Sequence, residues 1–202
     1  MINFERIMDW PSVAPILEQL DGHPELWDVQ PYRRATGSPH VEMVDIWLRY
    51  NDVAPYKMRG TFSGFNDPHI PVWYPAWDVL TEMHAPVRTL ASRVDADMIG
   101  GILITKLPPG GKILPHADTG WHVDYYEKFF FFLRAAPGTG FACEKDGEPE
   151  TLNPLAGEVW RFDNRKTHWI ENPTDTDRIT AIICMRTEKW DRQHDGMGRA
   201  AT

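Results

Sequence analysis

Short runs of apolar and aromatic residues, separated by turn residues, dominate the chain from position 99 onward. Pro, Gly, Asn and Asp stand between successive runs, which is typical of short strands in a β-sheet protein. The run 128–134 is apolar at every inner position, so we expect a strand that is buried on both faces. The strands predicted in this half are 102–107, 112–115, 128–134, 141–144, 150–152, 157–162, 168–172 and 178–185. Roughly eight short strands of this kind predict a double-sheet jelly roll.

Two hairpins follow from the turn residues of this half. An Asp-Gly turn is a strong hairpin signal, so the strand 141–144 should pair with the strand 150–152. The Pro-Thr-Asp turn at 173–175 predicts that the strand 168–172 pairs with the strand 178–185.

Prolines recur throughout residues 1–98, and each one removes a backbone donor and constrains its predecessor. Only short elements fit between them. Apolar residues at helical spacing predict one helix from Ser12 to Leu20 and a second helix over 76–93. Aromatic and branched residues over 43–50 predict a strand. We therefore expect a supporting region with short helices and one or two strands, packed on the jelly roll.

The chain has 202 residues, of which 42% are hydrophobic and 25% are charged, and these values are ordinary for one globular domain. Within a single domain, 1–202, we expect the supporting region at 1–98 and the jelly-roll core that carries the functional site at 99–190. The polar, glycine-containing end of the chain predicts a loose tail at 191–202.

The formal net charge of −8 at pH 7 disfavours a nucleic-acid or membrane-surface partner, because such binders concentrate positive charge against phosphates. No apolar run reaches the ~18 residues of a membrane span, and no basic segment precedes an apolar run at the N-terminus. We therefore expect a cytoplasmic protein. Cys143 and Cys184 are too few for a disulfide framework or a Cys-rich zinc site, so buried free thiols are expected.

Two histidines and one aspartate form the most informative chemical pattern. His116 and Asp118 are separated by one residue, so in extended backbone their side chains share one face. His168 belongs to a different predicted strand. Two imidazoles and one carboxylate are the ligand set that holds iron(II) on one face of an octahedron and leaves the opposite positions open. The same ligands could serve a metal-dependent cupin-type isomerase or a zinc hydrolase.

Over about eighty residues the sequence resembles the aspartyl/asparaginyl β-hydroxylase family of iron(II)- and 2-oxoglutarate-dependent dioxygenases. The matching motifs lie in family order at 107–111, 115–116, 157–164, 168, 172–175 and 177–178. The resemblance implies a mainly β, cupin-like double-stranded β-helix. It also implies Fe(II) held by His116, Asp118 and His168, with 2-oxoglutarate and O2 as cosubstrates.

Two basic residues gain a role from this resemblance. Arg178 matches the family's basic residue that pairs with the distal carboxylate of 2-oxoglutarate, a task that suits a planar guanidinium. Lys128 stands in the place of a family arginine and would add a second positive contact to the cosubstrate. The family commonly has a histidine where this chain has Phe130, so a contact made by that imidazole must be lost or supplied elsewhere.

The spacing His-x-Asp occurs a second time, at His122 and Asp124. The proline-glycine turn and Pro115 place His116 in the family position, so we favour His116 as the ligand. The other histidines are expected to be structural or surface residues, as most histidines are. They are His23, His40, His69, His84 and His194.

The resemblance implies hydroxylation of an unactivated carbon in an aspartyl- or asparaginyl-type side chain or a free amino acid. The substrate would be a peptide or a small molecule that bears an amino-acyl group. We expect substrate contacts from Trp47, Arg49, Trp121 and His122. The alternatives are a cupin-type isomerase or hydrolase and a non-enzymatic binding module with an aromatic cleft.

Overall fold

The computed structural model describes residues 3–34, 38–145 and 147–187. Its strands are β1 (Phe4–Asp9), β2 (Val44–Tyr50), β3 (Val72–Trp73), β4 (Ala96–Leu107), β5 (Lys112–His116), β6 (Glu127–Arg134), β7 (Phe141–Lys145), β8 (Glu148–Leu152), β9 (Glu158–Phe162), β10 (His168–Glu171) and β11 (Arg178–Thr187). Its α-helices are α1 (Ala14–Gly22), α2 (Ala54–Arg59), α3 (Ala76–Val79), α4 (His84–Arg93) and α5 (Trp121–Tyr125), and 3₁₀ turns cover Pro24–Leu26, Pro31–Arg34 and Thr81–Met83. The predicted tail at 191–202 lies outside the described residues.

Two antiparallel sheets face each other. The larger sheet has the strand order β1-β9-β6-β11-β4-β2-β3, and the smaller sheet has the order β5-β10-β7-β8. A cluster of buried side chains that includes Phe132, Phe141 and Ile170 fills the space between them. This arrangement confirms the predicted jelly roll.

Strand β6 has apolar side chains on both of its faces. Phe130 and Phe132 belong to the cluster between the sheets, whereas Phe129, Phe131 and Leu133 belong to a second cluster on the outer face of the larger sheet. Helices α1 and α4 cover that outer face with Leu20, Val87, Leu90 and other apolar side chains. The prediction of a strand buried on both faces is confirmed, and the reason is that the strand is covered by a sheet on one side and by helices on the other.

Within the described part of the supporting region, three strands precede β4, whereas one or two were expected. Strand β1, which was not predicted, pairs with β9 and extends the edge of the larger sheet. The helix predicted over 76–93 is divided into α3, a 3₁₀ turn and α4. Pro86 has no amide hydrogen for the carbonyl four residues before it, so the helix can only restart with this proline in its first turn.

The predicted pairing of strands 168–172 and 178–185 is wrong. Strand β10 lies between β5 and β7 in the smaller sheet, whereas β11 lies between β4 and β6 in the larger one. Asn172 stabilises the connection from β10 to β11, because its Nδ2 donates to the carbonyl oxygens of Leu107 and Thr176 at 3.0 and 2.8 Å. The other predicted hairpin is confirmed, since β7 and β8 pair with Phe141 opposite Leu152.

Both cysteines are buried and free, as expected, and burial raises the pKa of each thiol to about 11. The reactive thiolate is therefore scarce and inaccessible at pH 8. We expect the folded protein to resist iodoacetamide at pH 8, while Cys143 and Cys184 are both alkylated after unfolding in guanidinium chloride, as measured by intact mass. Rapid alkylation of either cysteine in the folded protein would contradict this expectation.

Within the described residues, none of the helices has the length and apolar character needed to cross a membrane.

Candidate metal centre

Strands β5 and β10 bring two histidines together at one end of the smaller sheet. His116 is the last residue of β5, His168 is the first residue of β10, and the two are direct cross-strand partners. Their ring centroids are 4.3 Å apart. The antiparallel register therefore places two imidazoles side by side, although about fifty residues separate them along the chain.

Asp118 follows His116 and is held in place by two donors. Its Oδ2 accepts hydrogen bonds from Asn164 Nδ2, at 2.7 Å, and from the ammonium of Lys128. Its backbone amide donates to the carbonyl of Asn164 at 2.9 Å. The other carboxylate oxygen, Oδ1, faces His116 Nε2 at 3.6 Å. One oxygen of Asp118 is thus fixed by the protein, while the other points toward the histidines.

Backbone carbonyls set the tautomers of both histidines. His116 Nδ1 lies 2.7 Å from the carbonyl oxygen of Leu114, and His168 Nδ1 lies 2.9 Å from that of Lys166. A carbonyl only accepts, so each Nδ1 must carry the hydrogen, and each Nε2 of a neutral ring is left with a lone pair. The Nε2 of His116 is buried and has no hydrogen-bond partner.

The protonation states suit metal binding at neutral pH. Burial alone would raise the pKa of Asp118, but Lys128 and Asn164 outweigh burial and hold this pKa well below its ordinary value. Burial lowers the pKa of His168 to about 4. At pH 7 the aspartate is therefore ionised and His168 is neutral, which are the forms that coordinate metals.

A third histidine, which the sequence analysis assigned a structural or surface role, lies at the same place. The ring of His40 meets the ring of His116 edge to face, with centroids 4.8 Å apart. The potential ligand atoms of His40, His116 and Asp118 all lie within 4.8 Å of one another. His168 stands outside this closest group, but it lines the same cleft and its ring remains adjacent to His116. Nothing in the sequence around His40 signals this position, because a loop far from the His-x-Asp pair supplies it.

These residues line a cleft between the two sheets. Phe130 and Ile182, which are register partners on β6 and β11, form part of its apolar wall. Among the described residues, the lining consists of Arg33, His40, Met43, Thr105, Ile113, His116, Asp118, Lys128, Phe130, His168, Ile170, Arg178 and Ile182. The lining carries three cationic side chains and one carboxylate, so the cleft favours an anionic ligand.

The three cations of the cleft differ in their partners. Arg33 donates to the buried carboxylate of Asp45 at 2.9 Å, and Lys128 donates to Asp118. Arg178, the first residue of β11, is only 2% exposed, and its Nε and Nη2 are buried without a hydrogen-bond partner. No ion pair joins it to a carboxylate within residues 3–34, 38–145 and 147–187, and burial lowers its pKa to about 9.

None of the four expected substrate contacts lines this cleft. Trp47 is 3% exposed and packs in a buried cluster with Val53 and Leu103, so it has almost no surface to offer a ligand. Arg49 lies over the ring of Trp73, 4.6 Å from its centroid. Trp47 and Arg49 thus lie away from this cleft, and a substrate contact by either residue stays a prediction.

The other two expected contacts, Trp121 and His122, lie on α5 and pack against Tyr126 with ring centroids 6.0 and 4.8 Å away. The alternative pair His122 and Asp124 belongs to this helix, and no metal-binding group of three includes them among the residues that the structure describes. Asn164 was not expected at the site, and only the structure shows that it holds Asp118.

No protein-family model and no curated protein matches the sequence. Solved structures share the architecture. A prolyl hydroxylase from Trichoplax adhaerens, in complex with a peptide fragment, has a TM-score of 0.58 at 13% identity over 95% of this chain and 87% of that one. HygX from Streptomyces hygroscopicus, with nickel and 2-oxoglutarate bound, has a TM-score of 0.58 at 12% identity over 92% and 83%. A 2OG-Fe(II) oxygenase family protein from Burkholderia pseudomallei has a TM-score of 0.53 at 14% identity over 71% and 67%.

At 12–14% identity these comparisons show a shared fold and no more. They include 2-oxoglutarate and iron(II) oxygenases of several kinds, and they do not single out the aspartyl/asparaginyl β-hydroxylases. The chain therefore has the double-stranded β-helix fold found in 2-oxoglutarate- and iron(II)-dependent oxygenases.

Proposed function

We propose that this protein is an iron(II)- and 2-oxoglutarate-dependent dioxygenase that hydroxylates an unactivated carbon. The observation that carries the proposal is the buried Arg178. Its guanidinium has two unpartnered nitrogens and no carboxylate in ion-pair contact among the described residues, and it lines the same cleft as His116, Asp118 and His168. A buried charge without a counter-charge is costly, so a site that keeps one is suited to an anionic ligand.

His116, Asp118 and His168 would hold the iron. The lone pair on His116 Nε2 and the free Oδ1 of Asp118 fit this task, because both are donor atoms that the protein leaves without a hydrogen-bond donor. Three protein ligands leave three positions of an octahedron open, which a 2-oxo acid and dioxygen can share. When bound, iron(II) and the cosubstrates supply the oxidising chemistry, in which 2-oxoglutarate is converted to succinate and carbon dioxide.

Arg178 would bind the distal carboxylate of 2-oxoglutarate. A guanidinium can donate two parallel hydrogen bonds to a carboxylate, and Nε with Nη2 is one of the donor pairs that can do so. On the larger sheet the apolar pair Phe130 and Ile182 lies between Arg178 and Lys128 along the cleft. This wall excludes water around the ligand and strengthens the ion pair.

Lys128 acts on Asp118 rather than on the cosubstrate in this proposal. Its ammonium and the amide of Asn164 share Oδ2 of Asp118, and this arrangement turns Oδ1 toward the histidines. Partners of this kind orient a metal ligand and typically change metal affinity by about 10- to 100-fold when they are removed.

For the substrate we propose an amino-acyl group, either an aspartyl- or asparaginyl-type side chain or a free amino acid. The prolyl hydroxylase of similar architecture carries a bound peptide, which supports a peptide as one form of the substrate.

An anaerobic titration tests the proposed cofactor and cosubstrate. We expect iron(II) and 2-oxoglutarate together to give the weak visible charge-transfer band of a chelated 2-oxo acid in the wild type. The band should be absent in His116→Ala and retained in the control His23→Ala, since His23 is a half-exposed residue paired with Glu25. Succinate formation on exposure to air, measured with candidate peptides and amino acids, then ranks the substrates.

A wild-type protein that binds iron(II) but gives no band would contradict the proposal. That result would favour another metal-dependent jelly-roll activity, such as a cupin-type isomerase or a hydrolase.

A further inference from the structure

His40 lies beside the proposed iron ligands, although it is not one of the three residues that we propose as ligands. Its ring is 4.8 Å from that of His116, and its potential ligand atom lies within 4.8 Å of those of His116 and Asp118. Its Nδ1 is buried and has no hydrogen-bond partner. Burial of a polar atom without a partner is unfavourable, so a ligand for this nitrogen is to be expected.

The loop that carries His40 is attached directly to β5, the strand that ends at His116. The amide of Leu114 donates to the carbonyl of Pro39 at 3.3 Å, and the amide of Lys112 donates to the side chain of Glu42 at 2.5 Å. Within the loop, the amide of His40 donates to Ser38 Oγ at 3.2 Å. Hydrogen bonds on both sides of His40 therefore fix its backbone over the metal-binding end of the strand.

We propose that His40 is a fourth protein ligand of the metal centre in the cosubstrate-free protein and that it leaves the metal when 2-oxoglutarate binds. This inference rests on the proposed function, because it concerns the same metal. It adds a third imidazole to the two imidazoles and one carboxylate of the triad, and it gives the loop 38–43 a role in metal retention.

The displacement follows from counting positions. Four protein ligands leave two positions of an octahedron, and a 2-oxo acid that binds through two oxygens fills both. Dioxygen then has no place unless one protein ligand leaves. His40 is the ligand suited to leave, because no hydrogen bond at Nδ1 holds its ring, whereas the Nδ1 of His116 and that of His168 each donate to a backbone carbonyl.

Cobalt(II) substitution tests this inference without catalysis. In proton NMR spectra of the cobalt(II) protein in water, each coordinated imidazole with an exchangeable N–H gives one strongly shifted signal. We expect three such signals in the wild type and two in His40→Ala and His40→Phe. The phenylalanine variant keeps the ring packing against His116 and cannot bind metal. Addition of 2-oxoglutarate should reduce the wild-type count from three to two.

Cobalt(II) affinity, measured against a competing chelator, provides the second readout. We expect both His40 variants to bind cobalt(II) at least about 10-fold more weakly than the wild type, because loss of a direct ligand should weaken binding no less than loss of a residue that only orients one. The control His23→Ala should match the wild type, because its side chain is paired with Glu25 and half exposed.

The possible results separate this inference from the proposed function. Two signals in the wild type, with unchanged affinity in the His40 variants, would overturn the role of His40, while 2-oxoglutarate binding in the same samples would leave the proposed function standing. Three signals that persist after 2-oxoglutarate has bound would overturn the displacement. If 2-oxoglutarate binds to none of the cobalt(II) samples, the proposed function and the displacement both fail, and ligation by His40 is still decided by the cosubstrate-free spectra.

Discussion

Replacement of Arg178 by methionine is expected to weaken 2-oxoglutarate binding at least about thirtyfold, because loss of one partner from a buried hydrogen-bonded charge pair costs about 2–5 kcal/mol. The measurement is an anaerobic titration of the iron(II) protein, followed through the charge-transfer band. Metal affinity should stay close to that of the wild type, since Arg178 is not among the proposed ligands and lies on the other sheet.

The same substitution should stabilise the cosubstrate-free protein. Arg178 is 2% exposed, has unpartnered nitrogens, and packs with its guanidinium carbon 5.2 Å from the centre of the Phe132 ring. Methionine keeps much of this packing without burying a charge, so we expect the free energy of unfolding to rise by roughly 1–3 kcal/mol. Urea denaturation without metal or cosubstrate measures this change.

Arg134→Met is the matched control for Arg178→Met. Arg134 is on the neighbouring strand β6, its side chain is 33% exposed, and its ion pair with Asp21 is 3.4 Å long. Its replacement should leave both 2-oxoglutarate binding and stability nearly unchanged. If Arg178→Met instead destabilises the protein and leaves cosubstrate binding intact, then Arg178 is a structural residue and the assignment of the carboxylate site is wrong.

Replacement of Asp118 by alanine should abolish tight metal binding and also destabilise the metal-free fold by about 3 kcal/mol, because it leaves a largely buried cation without its partner. The side chains of Lys128 and Asp118 are 17% and 20% exposed, and they form an ion pair. Lys128→Met alone should retain metal with about 10- to 100-fold weaker affinity. The double variant, Asp118→Ala with Lys128→Met, should recover part of the stability that Asp118→Ala loses.

A double-mutant cycle from urea denaturation, together with metal affinities by chelator competition, measures these effects. Additive stability changes would show that the two residues do not act on each other. If Lys128→Met has normal metal affinity but binds 2-oxoglutarate much more weakly, then Lys128 contacts the cosubstrate, as the family resemblance implies.

The strands and their burial were largely predictable from the sequence. Apolar runs such as Phe129–Phe132 and turn residues such as Asp146-Gly147 are local signals, and the period of two along a strand depends on few neighbours. Predictions therefore held for β6 and for the hairpin of β7 and β8. They failed where the partner of a strand is decided by distant segments, as with β10 and β11 in different sheets.

The residues of the candidate site were likewise predictable from the sequence only in part. The His-x-Asp spacing and the family resemblance together predicted His116, Asp118 and His168, and the structure brings these side chains into one cleft. The substrate contacts could not be identified in this manner. A tryptophan such as Trp47 is a residue type that often binds ligands, but aromatic side chains from other parts of the supporting region bury it.

By itself, the sequence determined that the chain forms short strands with turns between them, and that it carries two imidazoles, a carboxylate and an arginine in an order suited to a metal-dependent oxygenase. Only the tertiary structure decided that His40 joins His116 and that Lys128 and Asn164 hold Asp118. It also decided that Arg178 is buried with no counter-charge among the residues that the structure describes. The physical reason is the separation along the chain between the residues that interact. Strand formation and His-x-Asp geometry depend on adjacent residues, whereas burial, charge pairing and metal coordination depend on which distant side chains the two sheets bring within a few ångströms.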